Sequence, residues 1–456
     1  MSNKKFGLVV SLFLLIAPLF FLAPAAQANS CKTLNASWVA EENSRAGVKD
    51  WNKGVSFRLS ADFSRRKQVH RIEGYFAKTS IQCGENVELN LVGTKRAEVE
   101  IFRMGYYQGL GARKLGNFTI SSGWKFKAES NYLPGQYLFK IKSFNRASTF
   151  VPLVINNSSS KSDLTFISSV LTWQSYNQWG GYSLYKGPDG KRESRNSEVS
   201  FLRPYDGDGS GQLRYMELPI IRAAEKLGLN MNYSTDFDLD ANPNLLAKTK
   251  NIVLGGHSEY WTTNMRDAVE AAVNSGVNLI VFGGNTAYNR IEINEKKILN
   301  IQEWRKIGRP EVDLLGSQFF TLGFKRDMII ETNLWPFDVL PVGSVIKGVF
   351  GYEADTPITF AGPSVETIAR SSILPYEKSI PAMATYYTRD SGAGILNMAT
   401  NGWVCAIEDK CPWGHRFDEA TQKQLSLVTE NVLKEAARGP LGAWRTAVIQ
   451  NNAPSQ

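Results

Sequence analysis

Near residues 156–160 the hydrophobic rhythm of this chain changes, and that change limits the folds open to it. Upstream the apolar residues recur every second position. Val87, Leu89 and Leu91 alternate with Glu88 and Asn90; Val99 and Ile101 alternate with Glu98 and Glu100. Tyr137, Phe139 and Ile141 follow the turn Pro134-Gly135 in the same pattern. A period of two puts alternate side chains on opposite faces, so short strands of this kind predict an antiparallel β-sandwich of immunoglobulin-like type over residues 29–160. The polar stretch Asn156-Asn157-Ser158-Ser159-Ser160 reads as a linker. Beyond it, continuous apolar runs alternate with helical patterns. Leu164–Leu171, Ile252–Leu254, Val277–Phe282, Ala382–Tyr387 and Gly394–Met398 read as buried strands. Glu217–Leu227, a segment capped by Thr262 or Thr263 and ending near Asn274, and Thr421–Ala436 read as helices. The expectation is an α/β domain over residues 161–440, doubly wound and mostly parallel, with a tail at 441–456.

Residues 1–28 have the form of an export signal: Lys4 and Lys5, an apolar run from Phe6 to Leu22, and the small-residue site Ala26-Gln27-Ala28. An exported chain, periplasmic or secreted, changes the meaning of its four cysteines, which in an oxidising compartment pair as disulfides. Of the three connectivities the local one joins Cys31 to Cys83 and Cys405 to Cys411. Metal binding by Cys405, Cys411 and His415 is the other reading of that cluster. No later segment approaches the roughly 20 apolar residues of a membrane span. The formal charge of +9 is dispersed apart from Arg65-Arg66-Lys67, with no array of basic and aromatic residues, so nucleic acid is not an expected partner.

In sheets of the expected kind, ligands meet the carboxyl ends of the strands. Three strand ends here carry chemistry. One leads into Thr172-Trp173-Gln174-Ser175-Tyr176-Asn177, the second into Gly255-Gly256-His257-Ser258-Glu259, and the third into Gly283-Gly284-Asn285. Glycine pairs allow tight turns that aim the following polar side chains into a crevice. The sequence around Ser258 lacks the second glycine of a nucleophile elbow, and neither a Walker A loop nor a dinucleotide-binding glycine motif occurs. With three histidines in all, one of them His70 in the β region, a three-histidine zinc site is excluded. A metal here must be held mainly by oxygen. Glu259 with Tyr176, Tyr205 or Tyr185 makes a hard, anionic set that favours Fe³⁺ over zinc or copper.

These motifs resemble the large (beta) subunit of N,N-dimethylformamidase. The similarity lies in Thr172–Tyr185, Val199–Tyr205, Gly256–Trp261, Phe282–Tyr288 and Gly351–Asp355, and upstream in Ile72–Tyr75 and Ile101–Tyr107. The resemblance implies a sandwich joined to a domain like class I glutamine amidotransferases. It also implies a mononuclear iron held by two tyrosines and one glutamate, with hydrolysis of a small amide. Glu259 matches the glutamate, His257 and Asn285 match active-site neighbours, and Glu353 a further acidic one. Tyr176 is the first candidate among the tyrosines, Tyr205 the second, with Tyr215 and Tyr185 in reserve. The family enzyme is cytoplasmic and works with a small partner subunit, whereas an exported chain departs from that pattern.

The function expected from sequence is therefore an exported amide (C–N) hydrolase with Fe³⁺ on Glu259, Tyr176 and Tyr205, and with His257, Asn285 and Glu353 as catalytic groups. Its substrate would be a small amide or an amide-bearing glycan, and self-association into an oligomer is open to it. The competing expectation is a non-catalytic secreted protein in which Trp173, Trp179 and Trp261 line a glycan or peptide groove.

Overall fold

The structure, a computed structural model, describes residues 1, 31, 33–55, 72–143, 146–157, 160–358, 362–372, 380–412 and 414–448. The export-signal segment beyond residue 1, Arg65-Arg66-Lys67 and His70 lie outside the described residues.

Helix α1 (Trp38–Asn43) precedes eight strands, β1 (Glu73–Phe76), β2 (Ser80–Gln82), β3 (Asn86–Val92), β4 (Arg96–Met104), β5 (Ala112–Ser121), β6 (Trp124–Lys127), β7 (Gly135–Ser143) and β8 (Arg146–Asn156). They form a three-stranded sheet, β1-β3-β6, and a five-stranded sheet, β2-β8-β7-β4-β5. The alternating residues Val87, Leu89, Val99, Ile101, Phe139 and Ile141 all turn into one apolar core between the sheets. Every pairing is antiparallel except that of β2 with β8.

Strand β9 (Leu164–Ser168) then leads into α2 (Val170–Tyr176), followed by β10 (Glu198–Ser200), α3 (Leu213–Met216) and α4 (Leu218–Lys226). Next come β11 (Met231–Thr235), α5 (Asp236–Ala241), β12 (Asn251–Leu254), β13 (Tyr260–Trp261), α6 (Thr263–Asn274) and β14 (Asn278–Val281). The hairpin β15 (Asn289–Asn294) and β16 (Lys297–Glu303) precedes α7 (Val312–Leu315), and long strands β17 (Gln318–Ile330) and β18 (Val345–Thr356) follow. The chain closes with β19 (Glu366–Ser371), β20 (Met383–Thr388), β21 (Gly394–Asn397), α8 (Gly402–Ile407) and α9 (Glu419–Ala436). Helix α6 begins as expected, with the Thr262 side chain accepting from Met265 N, and Gly276 beyond its end takes φ 95°.

The doubly wound, mostly parallel domain expected from sequence, with its glutamine amidotransferase-like form, is not what this region builds. Its nine-stranded sheet has the order β11-β9-β12-β14-β21-β20-β19-β17-β18. Four neighbouring pairs, from β11 to β21, are parallel, and the four from β21 to β18 are antiparallel. Antiparallel strands need no helical crossover between them, so half of this sheet grows by hairpin-like returns. The reason this half escapes a periodicity reading is visible in β17. Its pairing with β18 shifts register between Phe319 and Thr321, between Gly323 and Arg326 and between Arg326 and Met328. Each shift inserts a residue out of step, which erases the period of two. A second, four-stranded sheet, β10-β16-β15-β13, stands beside the large one.

The apolar core does not stop at the linker. Trp38, Phe102, Leu138, Phe150 and Val154 from the N-terminal part pack in one cluster with Leu164, Phe166, Ile220 and Tyr233. The same junction holds a fully buried ion pair, with Arg103 Nη2 donating to Glu225 Oε1 at 2.8 Å. Arg103 also donates to Pro134 O through Nε and Nη2, at 3.0 and 2.8 Å. Glu225 also accepts from Asn43 Nδ2 at 2.9 Å and from the Tyr233 hydroxyl at 2.5 Å. Removing one partner leaves a desolvated charge, so Arg103→Met is expected to cost about 3–5 kcal/mol of stability. A urea unfolding midpoint for Arg103→Met equal to that of the unmodified chain would contradict this role.

Candidate active site

The carboxyl ends of β9, β12, β14 and β21 emerge on one side of the parallel half-sheet. The loops there are pressed so closely that two glycines are obligatory. A Cβ on Gly255 would collide with Met216 O, and one on Gly284 would lie 2.7 Å from Glu353 O. Four non-glycine residues in the same region have left-handed backbones: Asn285 (φ 53°), Ala287 (φ 54°), Tyr352 (φ 64°) and Ala399 (φ 60°). Backbone strain of this kind persists only where the surroundings enforce it, and it concentrates at functional sites.

Four side chains converge within this setting. Tyr176, the last residue of α2, donates its hydroxyl to Glu259 Oε2 at 2.5 Å and reaches Glu353 Oε1 at 3.5 Å. His257 Nε2 lies 3.0 Å from Glu353 Oε2 and 3.5 Å from Glu259 Oε2. One ligand atom from each of His257, Glu259 and Glu353 falls within 4.8 Å of the others. Neighbours fix each group. Thr172 Oγ1 accepts from the backbone N–H groups of Glu259 and Tyr260, at 3.0 and 3.2 Å. Asn289 Nδ2 donates to Glu259 Oε1 and Asn401 Nδ2 to Glu353 Oε2, both at 2.7 Å. Gln212 Oε1 sits 2.9 Å from His257 Nδ1; accepting a hydrogen bond from Nδ1–H, it directs Nε2 toward the carboxylates.

Electrostatics follow from burial. Desolvation opposes a charge on His257, but Glu353 foremost, with Glu259, outweighs it and lifts the imidazole to about 9. Burial raises Glu259 against the pull of the His257 hydrogen bond. Burial, then the charges of Glu259 and Glu353, push the Tyr176 phenol well up, so its hydroxyl keeps its proton here.

Asn285 stands in the loop after β14, its N–H donating to Asp355 Oδ1 at 2.7 Å, while its buried Oδ1 finds no donor among the described residues. Burial pushes Asp355 up to about 7. Tyr205 is placed elsewhere. Its ring packs edge-on against Trp173 with centroids 6.0 Å apart, in the core beside Leu213 and Phe166, whereas the tyrosine stacked on Tyr176 at 5.0 Å is Tyr185. Two of the three tryptophans of the groove reading are withdrawn from any surface, while Trp179 is half-buried and donates its indole N–H to Glu73 Oε2 at 2.9 Å. Trp173 and Trp261 are buried, and their indole N–H groups are taken by Glu217 and Ser258. Cys31–Cys83 and Cys405–Cys411 are disulfides, which removes both sulfur atoms near His415 from metal binding. Sequence reasoning missed Gln212, Asn289, Asp355 and Asn401. Two of them carry a signal: Asp355 closes the Gly351–Asp355 motif, and Asn401 follows the end of the strand expected at Gly394–Met398.

A family model for the N,N-dimethylformamidase beta subunit-like C-terminal region matches residues 98–415. The chain belongs to this family. The match takes in Tyr176, His257, Glu259, Asn285 and Glu353 together. No curated protein matches the chain. Among solved structures, a thua-like protein from Bacteroides uniformis is similar over 46% of this chain and 79% of its own, at 18% identity and a TM-score of 0.29.

In this member of the N,N-dimethylformamidase beta subunit-like family, the wall behind Gly255 holds a further buried carboxyl. Glu217 accepts from Ser169 N at 2.9 Å and Trp173 Nε1 at 3.1 Å, yet burial still pushes it up to about 8. A carboxyl raised on folding favours the folded state while protonated, and that advantage is lost as pH rises from its unfolded value of about 4.5 toward 8. Stability of the unmodified chain relative to Glu217→Gln is thus expected to fall across this window. Urea midpoints whose difference stays constant from pH 5 to pH 8 would refute it.

Proposed function

We propose that this chain is an exported hydrolase of an amide C–N bond, with its reactive centre at Tyr176, His257, Glu259 and Glu353. The observation that carries the reading is the convergence of two carboxylates, a phenol and an imidazole at one buried point. Membership of a family named for an amidase supports that reaction class. Two disulfides support an oxidising compartment, and no helix among the described residues is long and apolar enough to cross a membrane.

The donor chemistry fits Fe³⁺. Two carboxylates and a phenolic oxygen are hard donors, and gathering them where water is excluded favours a highly charged cation as their partner. Tyr176 and Glu259 would hold the ion, with Glu353 and His257 Nε2 alongside, and Tyr185 rather than Tyr205 is the neighbouring phenol. When bound, such an ion supplies Lewis-acid polarisation of a carbonyl and acidifies water. The residues of the chain account for the rest. Asn289 holds Glu259 in a fixed orientation. His257, oriented by Gln212, can pass a proton between Nε2 and Glu353 Oε2, and so serve a departing amine. Asn285 Oδ1, buried and without a donor among the described residues, would accept from a substrate N–H. The burial of Trp173 and Trp261 weighs against the competing glycan- or peptide-groove reading.

Purified protein is expected to carry one iron per chain, coloured by tyrosinate-to-iron charge transfer, and Glu259→Ala to lose both metal and colour. On a panel of formamides, small amides and amide-bearing glycans, Glu259→Ala is expected to be slower by roughly 100-fold or more, the scale for removing a group that acts on developing charge. Iron retained unchanged in Glu259→Ala overturns the ligand assignment. Equal turnover by the two proteins on every amide overturns the hydrolase.

A further inference from the structure

Away from the Glu259 cluster, a groove of about 440 Å³ runs along the junction of the two halves of the chain. One wall is made by the segment holding Lys49 and Trp51 together with the loop after β4 that holds Tyr106; the other is built by α4, the end of α8 and α9. The volume lies within the roughly 300–1,000 Å³ range of small-molecule sites. Its charge is unbalanced. Lys49, Arg222, Lys226 and Lys410 line it against only two carboxylates, Glu408 and Glu430. Glu408 is shared, accepting from Arg222 Nη1 at 2.5 and 2.6 Å and from Lys410 Nζ at 2.8 Å. Glu430 is taken by Lys226 at 2.6 Å. Lys49 has no ion-pair partner among the described residues.

Arg222 gives the groove its directionality. Its guanidinium lies over the Trp51 ring, 6.0 Å from the centroid, and one edge is committed to Glu408. The Nε on the other edge is buried and finds no acceptor among the described residues. A buried charged donor without an acceptor is costly, and a carboxylate or phosphate oxygen is what satisfies it best. The half-buried Tyr106 offers an apolar face beside it.

We infer that this groove is a second binding site, for a small organic anion of about saccharide size whose carboxylate or phosphate is held by Arg222 and Lys49 and whose body rests against Tyr106. It is independent of the Glu259 cluster, sharing no residue with it.

Calorimetric titration of the full mature chain with glucuronate, glucose 6-phosphate, glucose and inorganic phosphate tests this. The two charged sugars separate carboxylate from phosphate recognition, and at least one of them is expected to bind. Glucose is expected to bind at least about tenfold more weakly, the scale of one charge-assisted hydrogen bond. Lys49→Glu, on the surface, and Arg222→Lys, which keeps a cation for Glu408 but removes Nε, should each weaken the charged sugar by roughly tenfold with an unchanged thermal midpoint. Glu259→Ala should bind it as the unmodified chain does. The proposal is overturned if neither charged sugar binds, or if glucose or inorganic phosphate binds as tightly as they do. It is equally overturned if both groove variants bind normally, or if Glu259→Ala abolishes binding.

Discussion

Two carboxylates that meet in a buried place set the terms for everything around them. Glu259 and Glu353 both approach Nε2 of His257, at 3.5 and 3.0 Å, and both are reached by the Tyr176 hydroxyl. Like charges so close and so poorly solvated cannot both persist without compensation. The protein provides it in part: an imidazole held protonated, a phenol O–H, and one amide donor for each carboxylate from Asn289 and Asn401. This compensation is all short-ranged and directional, so the loops carrying it must hold position to within a hydrogen bond's tolerance. That demand accounts for the glycines pressed against neighbouring carbonyls and for left-handed backbones at Asn285, Tyr352 and Ala399.

The mixed sheet is what lets the carboxylates meet. Glu259 comes from the loop after β12, in the parallel half, where strand ends naturally open toward a ligand. Glu353 comes from β18, the antiparallel edge strand of the same sheet, and could not be placed by a parallel crossover rule. The return is made at Gly351 and Asn401, where Thr400 Oγ1 accepts from Gly351 N at 3.1 Å and Asn401 N donates to Glu353 O at 3.2 Å. The loop after β21 thus ties the far edge of the sheet back to its centre.

This division also decides how much could be read from the residues. Val87, Leu89 and Leu91 predicted their strand because one face is dry and the other wet. The glycine pairs at 255–256 and 283–284 marked strand ends because only glycine tolerates such close backbones, and His257, Glu259 and Asn285 follow them directly. Strand β17 hid because its bulges break the period, and with it went the antiparallel half of the sheet. Tyr205 closes the Val199–Tyr205 motif, but a tyrosine's packing depends on tertiary neighbours, and its ring lies against Trp173. Gln212 had no local signature at all, since its role exists only once α3 is laid beside the His257 loop.

Helix α4 shows how these local demands are coupled. Glu217, at its N-terminal cap, packs behind Gly255 and so sets the wall of the carboxylate cluster. Arg222, in the middle, faces the cationic groove. Glu225, near its end, is locked to Arg103 and accepts from Tyr106 N at 3.3 Å. A helix advances about 1.5 Å per residue, so these three contacts fit within roughly 12 Å of one rigid rod. Because Glu225 binds the β half while Glu217 abuts the Gly255 loop that leads to Glu259, the junction cannot slide without disturbing both. The buried Arg103–Glu225 pair therefore holds more than the interface: it fixes the register of α4, and through α4 the spacing between the groove and the Glu259 cluster.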